Sequence, residues 1–284
     1  MKRRVFALVA GAIILVGGMV PTVAATSDDV DAASEAAEEL VNSGQFTTVC
    51  MFSHRAPDDP IIYPHKRGAS HSHDFFGNRT TDAFSTTKSL LRAGVTSCRR
   101  PGDTAAYWVP SLYRNGALVN PRSVTAYYQA RNKPLGSIEA FPQGLKLIAG
   151  TAHSMSAQPA RVTVWHCSGV EGSASSAVPT CPTGSHLVLR VRFPDCWDGR
   201  QLDSADHKSH LVYNMNGRCP STHPVGVPGI ALNVHYLIAG GAGVTLASGS
   251  PYSGHADFFN AWDAGTLQGL VDRCLNTGTH CAQT

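Results

Sequence analysis

Six short segments of the chain alternate apolar and polar residues with a period of two: 46–52, 107–113, 123–129, 161–167, 186–193 and 230–237. They are rich in β-branched and aromatic residues and are separated by clusters of Gly, Pro, Asn and Ser, which predicts strands joined by turns. Two segments follow a helical period instead. One is 82–92, stopped by Ala93-Gly94; the other is 256–275, where Phe258, Trp262, Leu270 and Cys274 recur near helical spacing while Gly265 and Gly269 weaken the middle. The predicted fold class is mainly β: a single β-sandwich or jelly-roll-like domain over 46–284, disulfide-stapled, with a few peripheral helices. Ahead of it, 28–43 is rich in Ala and Glu and is followed by Gly44, so residues 26–45 read as an N-terminal helix or tether. The small, polar run 168–184 reads as an excursion loop.

The first 25 residues change how the composition is read. Lys2, Arg3 and Arg4, an apolar run from Val5 to Val20, and the small-residue site Val23-Ala24-Ala25 have the pattern of a secretory signal peptide. Arg3-Arg4-Val5-Phe6 also has a faint twin-arginine character. The 284 residues include 23 Lys and Arg against 20 Asp and Glu, a formal charge of +3. All of that excess lies in the leader, so the mature chain is formally neutral. Its basic residues form no cluster larger than pairs such as Arg99-Arg100, which argues against nucleic acid and anionic membrane surfaces, whose binding rests on phosphate neutralisation. No later apolar run approaches the roughly 20 residues of a membrane span. A secreted, extracellular and monomeric protein is expected, free of the membrane once the leader is removed. Its 8 cysteines, none in C-x-x-C spacing, suit disulfides of an oxidising compartment. Sequential pairing is expected, because each bridge then closes a short local loop.

The ionisable groups narrow the chemistry. There are 13 His, but beyond the tether the only Glu residues are Glu139 and Glu171, so a site built on paired Glu, as in many glycosidases, is poorly supported. Acid/base or metal chemistry must fall on His and Asp. The densest stretch is GASHSHDFFGN, 68–78. If it is extended, His71 and His73 project from one face and can reach one metal or one substrate, and Phe75 and Phe76 suit a core anchor beneath them. A second stretch holds Asp195, Asp198, Asp203, Asp206, His207 and His210. One helical turn there would put Asp203 with His207 and Asp206 with His210 at i, i+4, where a carboxylate orients an imidazole; the plainer alternative is a polar turn whose Asp side chains cap backbone N–H groups. His223, His235 and His255 follow. His255-x-Asp257 repeats the His-x-acid theme where the last helix is expected to begin, so Asp257 also reads as an N-terminal helix residue. Gly240-Gly241-Ala242-Gly243 lacks phosphate-binding spacing, and neither G-x-S-x-G nor H-E-x-x-H occurs.

Several long motifs carry a resemblance. DPIIYPHKRGASHSHDFFGN (59–78), AYWVPSLY (106–113), FPQGLKLIAG (141–150), FPDCWDGRQLDSADHKSHLVY (193–213), CPSTHPVGVPGIALNVHY (219–236) and ASGSPYSGHADFFNAWD (247–263) resemble a family of secreted bacterial and fungal proteins. That family is catalogued as a domain of unknown function, number nineteen ninety-six, and the resemblance spans about 46–275. Its name supplies no activity. Fungal relatives sometimes carry wall- or sugar-binding modules, which implies an extracellular polysaccharide or cell-wall partner by association. The expected function is a secreted enzyme, a hydrolase or lyase, acting on such carbohydrate. Its site is drawn from His71, His73, Asp195, Asp203, His207, His210, His223 and His255. In one version a His/Asp pair does general acid/base work. In the other a divalent metal, Zn or Cu, is held by His71, His73, His207 and His210. The alternatives are a non-catalytic wall- or glycan-binding protein and a secreted metal-binding protein.

Overall fold

The computed structural model describes residues 42–282; the expected leader and most of the expected tether lie outside the described residues. In chain order the first strands are β1 (Gln45–Ala56), β2 (His73–Gly77), β3 (Ala106–Pro110), β4 (Leu112–Arg114), β5 (Ala117–Val119), β6 (Ser123–Gln129), β7 (Lys146–Gly150) and β8 (Thr163–Cys167). They are followed by β9 (Leu187–Arg192), β10 (Cys196–Trp197), β11 (Leu211–Val212), β12 (Val225–Gly226), β13 (Gly229–Tyr236), β14 (Val244–Leu246), β15 (His255–Phe259) and β16 (His280–Cys281). Two short helices, α1 (Thr87–Ala93) and α2 (Ala264–Leu270), interrupt them, and α2 runs on into a wider π turn, Val271–Leu275.

The main sheet has the order β7-β15-β3-β2-β1-β6-β13-β9-β8, with β16 beside β1, and two three-stranded sheets flank it. Strand β1 belongs to both halves. Its first part pairs with β6, its last residues pair with β2, and the register shifts between Phe52 and His54. A bulge of this kind bends a strand and raises its twist, so the sheet folds over and β7 approaches β9. The main core fills the space between the halves with Phe46, Phe76, Tyr107, Tyr128, Leu189, Phe258 and Trp262. Tyr128 stacks on Phe46 at 4.6 Å and its hydroxyl accepts the Trp262 indole N–H at 2.9 Å. A second apolar cluster lies on the outer face of the β7-β15-β3-β2 half: Ile61, Phe75, Leu90, Trp108, Ile148 and Phe259. Burial of each such side chain contributes roughly 1.5–3 kcal/mol, which holds the 57–72 loop and α1 against the sheet.

The mainly β, disulfide-stapled architecture agrees with the sequence pattern, and all six predicted segments hold strand, 123–129 with the expected bounds and 107–113 divided between β3 and β4, which join different sheets. Cysteines pair sequentially: Cys50–Cys98, Cys167–Cys181, Cys196–Cys219 and Cys274–Cys281. The second bridge pins the 168–184 excursion. The predicted helix over 256–275 is corrected. His255–Phe259 is a strand paired on both sides, and helix starts only at Ala264, where Asp263 caps the Thr266 N–H. A strand buried on both faces loses its period of two, so HADFF reads equally well as helix. The first helix is also shorter than 82–92: it starts after the Thr86 cap, while 82–85 turn around the Asp82 side chain. Among the described residues no helix is long and apolar enough to cross a membrane.

Candidate metal centre

Strands β2 and β15 both pair with β3, and register places Phe75 and Asp257 on either side of Trp108. Directly paired residues share a face. His73, two residues from Phe75, and His255, two from Asp257, therefore project from the same outer face. On the far side of β15, His255 lies opposite Gly150. Gly150 has φ +83°, and a Cβ there would sit 2.5 Å from the Gly254 carbonyl oxygen and 2.9 Å from the His255 Cα. Glycine is required for that approach. The roof is the loop before β2, folded around two carboxylates. Asp59 Oδ1 accepts the Ile61 and Ile62 N–H groups at 2.9 Å, and Asp58 Oδ1 accepts the Gly68 N–H at 2.8 Å. This fold brings His71 over the strands.

The result is a convergence of three imidazoles. His71 Nε2 lies 3.2 Å from His255 Nε2, and His73 Nε2 lies 3.5 Å from the same atom. His73 Nδ1 is 3.0 Å from the Asp58 carbonyl oxygen and His255 Nδ1 is 2.9 Å from that of Ser253. A carbonyl only accepts, so both Nδ1 atoms carry the proton and both Nε2 lone pairs are bare in the neutral rings. The rings are neutral. Burial, then the neighbouring imidazoles, push His73 well below the ordinary range; burial holds His255 down to about 3 against a favourable carbonyl contact. Burial and the nearby His153 also lower His71. Two bare lone pairs therefore face each other with no proton of their own between them. Two nitrogen ligands about 2.05 Å from a tetrahedral ion stand about 3.3 Å apart, which the 3.2 and 3.5 Å separations bracket. Backbone-anchored Nδ1–H groups are the usual outer support of metal-ligating histidines.

Two carboxylates lie beside the imidazoles. Asp59, His73 and Asp257 offer atoms within 4.8 Å of one another, as do His71, His73 and His255. Asp257 is buried, its Oδ2 has no hydrogen-bond partner, and burial followed by repulsion from Asp59 raises it well above the carboxylate range. Asp59 is raised too, by burial outweighing its two amide N–H contacts. Both therefore favour a proton or a cation. A cleft of about 220 Å³ opens over the group, walled by Ile62, Tyr63, Ser70, Thr151, His153 and Lys208.

A profile for the domain of unknown function DUF1996 matches residues 59–262, which include both carboxylates and all three imidazoles. The chain belongs to the DUF1996 family. No curated protein and no solved structure shows a significant match.

Within the DUF1996 domain the remaining sequence candidates take separate places. Of the expected metal ligands His71, His73, His207 and His210, the structure brings His71 and His73 together, and the imidazole that joins them is His255. The strand order decides this, because β15 stands next to β3 and the 203–210 segment does not reach the three Nε2 atoms. His207 and Asp203 do pair, Nδ1 to Oδ1 at 2.7 Å, and Asp203 Oδ2 takes Lys146 Nζ at 3.0 Å. The contact is made in a turn with His207 at φ +59°, not in a helix. Asp206 and His210 do not pair directly. Ser204 stands between them, its hydroxyl 2.7 Å from Asp206 and 2.8 Å from His210, while His210 Nε2 donates to the Lys146 carbonyl. Asp195 is fully buried in an ion pair with Lys133 and two contacts from Asn214, away from the cleft lining. His223 Nε2 holds the Ser209 carbonyl at 2.8 Å. Asp74, the neighbour of His73 in sequence, points to the opposite face and pairs with Arg55. A second imidazole pair, His186 and His235, has its nitrogens 3.0 Å apart, but Arg122 acts on both and opposes a metal cation there. Asp59, His153 and Lys208 had no periodic or spacing signal that marked them. Asp257 had one, the i, i+2 step from His255, hidden by the helical reading.

Proposed function

We propose that the protein is a secreted enzyme that holds a divalent ion on His71, His73 and His255 and hydrolyses an extracellular carbohydrate. The observation that carries this reading is the locking of the His73 and His255 Nδ1–H groups by carbonyls, which aims bare Nε2 atoms at one point together with His71. Three protein ligands with an open side are typical of catalytic rather than structural sites. An ion there supplies a Lewis acid that activates water and polarises a substrate oxygen. The chain's own part is to fix two rings on strands β2 and β15, either side of β3, close the third from the loop, and leave the cleft accessible. In this reading His207, its Nδ1 held by Asp203, serves as the general acid/base through Nε2. The carbohydrate part is supported by the neutral mature chain, by a cleft that mixes Tyr63 with the hydroxyls of Ser70 and Thr151, and by the disulfides that suit an oxidising compartment.

Elemental analysis of natively exported protein, with a glycan panel, tests this. One equivalent of zinc or copper is expected, lost together with turnover in His73→Ala. Protein that carries no ion after export and takes up none on titration sinks the reading. Bound ion with no product from any glycan points instead to a metal-binding protein. The Asp203–His207 contact favours one second reading, metal-free acid/base catalysis, in which chelator-treated protein keeps its rate and His207→Ala loses it.

A further inference from the structure

Charge that cancels over residues 26–284 does not cancel locally. The cleft above the imidazoles shares Ile148, Gly150, Thr151 and Lys208 with a neighbouring cleft of about 250 Å³, so the two adjoin and together outline a channel. Past Lys208 the channel is walled by Pro159, Val162, Pro194 and Tyr213, and no carboxylate lines it. One cation lines it, Lys208, and two more stand near its Tyr213 wall. Lys208 is exposed and its Nζ donates to the Gly150 carbonyl at 2.7 Å. The exposed Arg161 guanidinium lies 5.6 Å from the centre of the Tyr213 ring. Arg192 adjoins it, with the Tyr213 hydroxyl on its carbonyl and its own guanidinium on the Ala160 carbonyl. Among the described residues none of these three forms a salt bridge. The nearest acid in sequence to Lys208 is Asp206, whose carboxylate is occupied by Ser204 and Ser209. Asp257 feels the Lys208 charge but belongs to the imidazole end.

We propose that this channel is an extended subsite that selects a polysaccharide bearing carboxylates, a uronate chain, and feeds it to the three-histidine centre; the second half of that statement rests on the proposed function. Asp59 and Asp257 line the imidazole end, but beyond it Lys208 is the one charged group in the lining, and a cleft lined by one sign of charge attracts the opposite ion. The guanidinium fork matches a carboxylate in geometry as well as in charge. The apolar wall of Pro159, Val162 and Tyr213 fits the non-polar face of a sugar ring. Nucleic acid fits less well, since its binding grows with the number of phosphates neutralised and the channel offers Lys208 with only two Arg nearby.

The test uses the exported, full protein and oligogalacturonates against their methyl esters, which keep the sugar and remove the charge. Calorimetry at low salt is expected to give at least tenfold tighter binding of the acid form. That preference shrinks at high salt and is lost in the double variant Lys208→Gln, Arg161→Gln, with an unchanged melting temperature. Equal affinity for acid and ester overturns the proposal, as does a preference that survives the double variant. A single-stranded oligonucleotide that binds as tightly as the uronate also overturns it. The ion content is read in the same samples. Protein without ion that still prefers the acid form sinks the metal reading and keeps the subsite; protein with ion and no preference does the reverse.

Discussion

Replacement of Asp195 separates a structural carboxylate from a catalytic one. The side chain is fully buried, and Lys133, its ion-pair partner, is only 1% exposed. In Asp195→Ala the Lys133 ammonium keeps one remaining contact, the Ala130 carbonyl oxygen at 3.4 Å. The Asn214 N–H and side-chain amide lose acceptors at 3.0 and 2.7 Å. Breaking a buried pair from one side costs about 3–5 kcal/mol, because the surviving charge is neither solvated nor paired. For a body of this size each kcal/mol moves the melting temperature by about 2–4 °C, so a fall of roughly 6–20 °C is expected. The double variant Asp195→Leu, Lys133→Met removes both charges at similar volume and should recover most of that loss, since an apolar replacement of a buried pair is often neutral or stabilising. Thermal melts by circular dichroism give the stability. Turnover and ion content, normalised to folded protein, should stay at the wild-type level in both variants. An Asp195→Ala protein that melts normally but has lost turnover would refute the structural assignment and return Asp195 to the reaction.

Two further predictions rest on single contacts. Gly150→Ala forces a side chain into the Gly254 carbonyl and the His255 backbone at a left-handed φ. It should cost more than about 1 kcal/mol and weaken ion binding at least tenfold by equilibrium dialysis; wild-type affinity would show that His255 does not depend on this approach. His235 is held down to about 4 by burial, followed by His186, His166 and Arg122, against an ordinary 6.5. The unfolded chain therefore binds a proton that the folded chain resists, so this contribution is full above pH 6.5 and is lost as pH falls toward 4. His235→Gln should flatten the acid limb of the stability curve in that window, and an unchanged limb in urea titrations across it would contradict the assignment.

Much of the fold was legible because it is local. Alternation marked β1, β6 and β9, since one side of each faces the core and the other is partly exposed, while β8 and β13, buried almost throughout, were marked by their β-branched and aromatic residues. Strand β15 escaped because both of its faces are covered, one by the main core and one by the cluster around Trp108. The site divides in the same way. His71 with His73 and Asp203 with His207 were visible, because two- and four-residue steps put side chains side by side within one stretch of backbone. Asp74 shows the limit of such reasoning: adjacent to His73 in sequence, it faces the other side of the strand and serves Arg55.

The sequence alone determined a β-rich domain, the disulfide-compatible cysteine count and a concentration of His and Asp from which candidate site residues could be drawn. Tertiary structure decided which of them meet. His71 and His73 reach His255 across 184 and 182 residues, a distance that no local period encodes. The meeting follows from β2 and β15 both pairing with β3, and from an overlying loop whose own carboxylates tie it down. Strand order and register are cooperative properties of the whole sheet, so they choose the ligands, while the sequence supplies only the candidates.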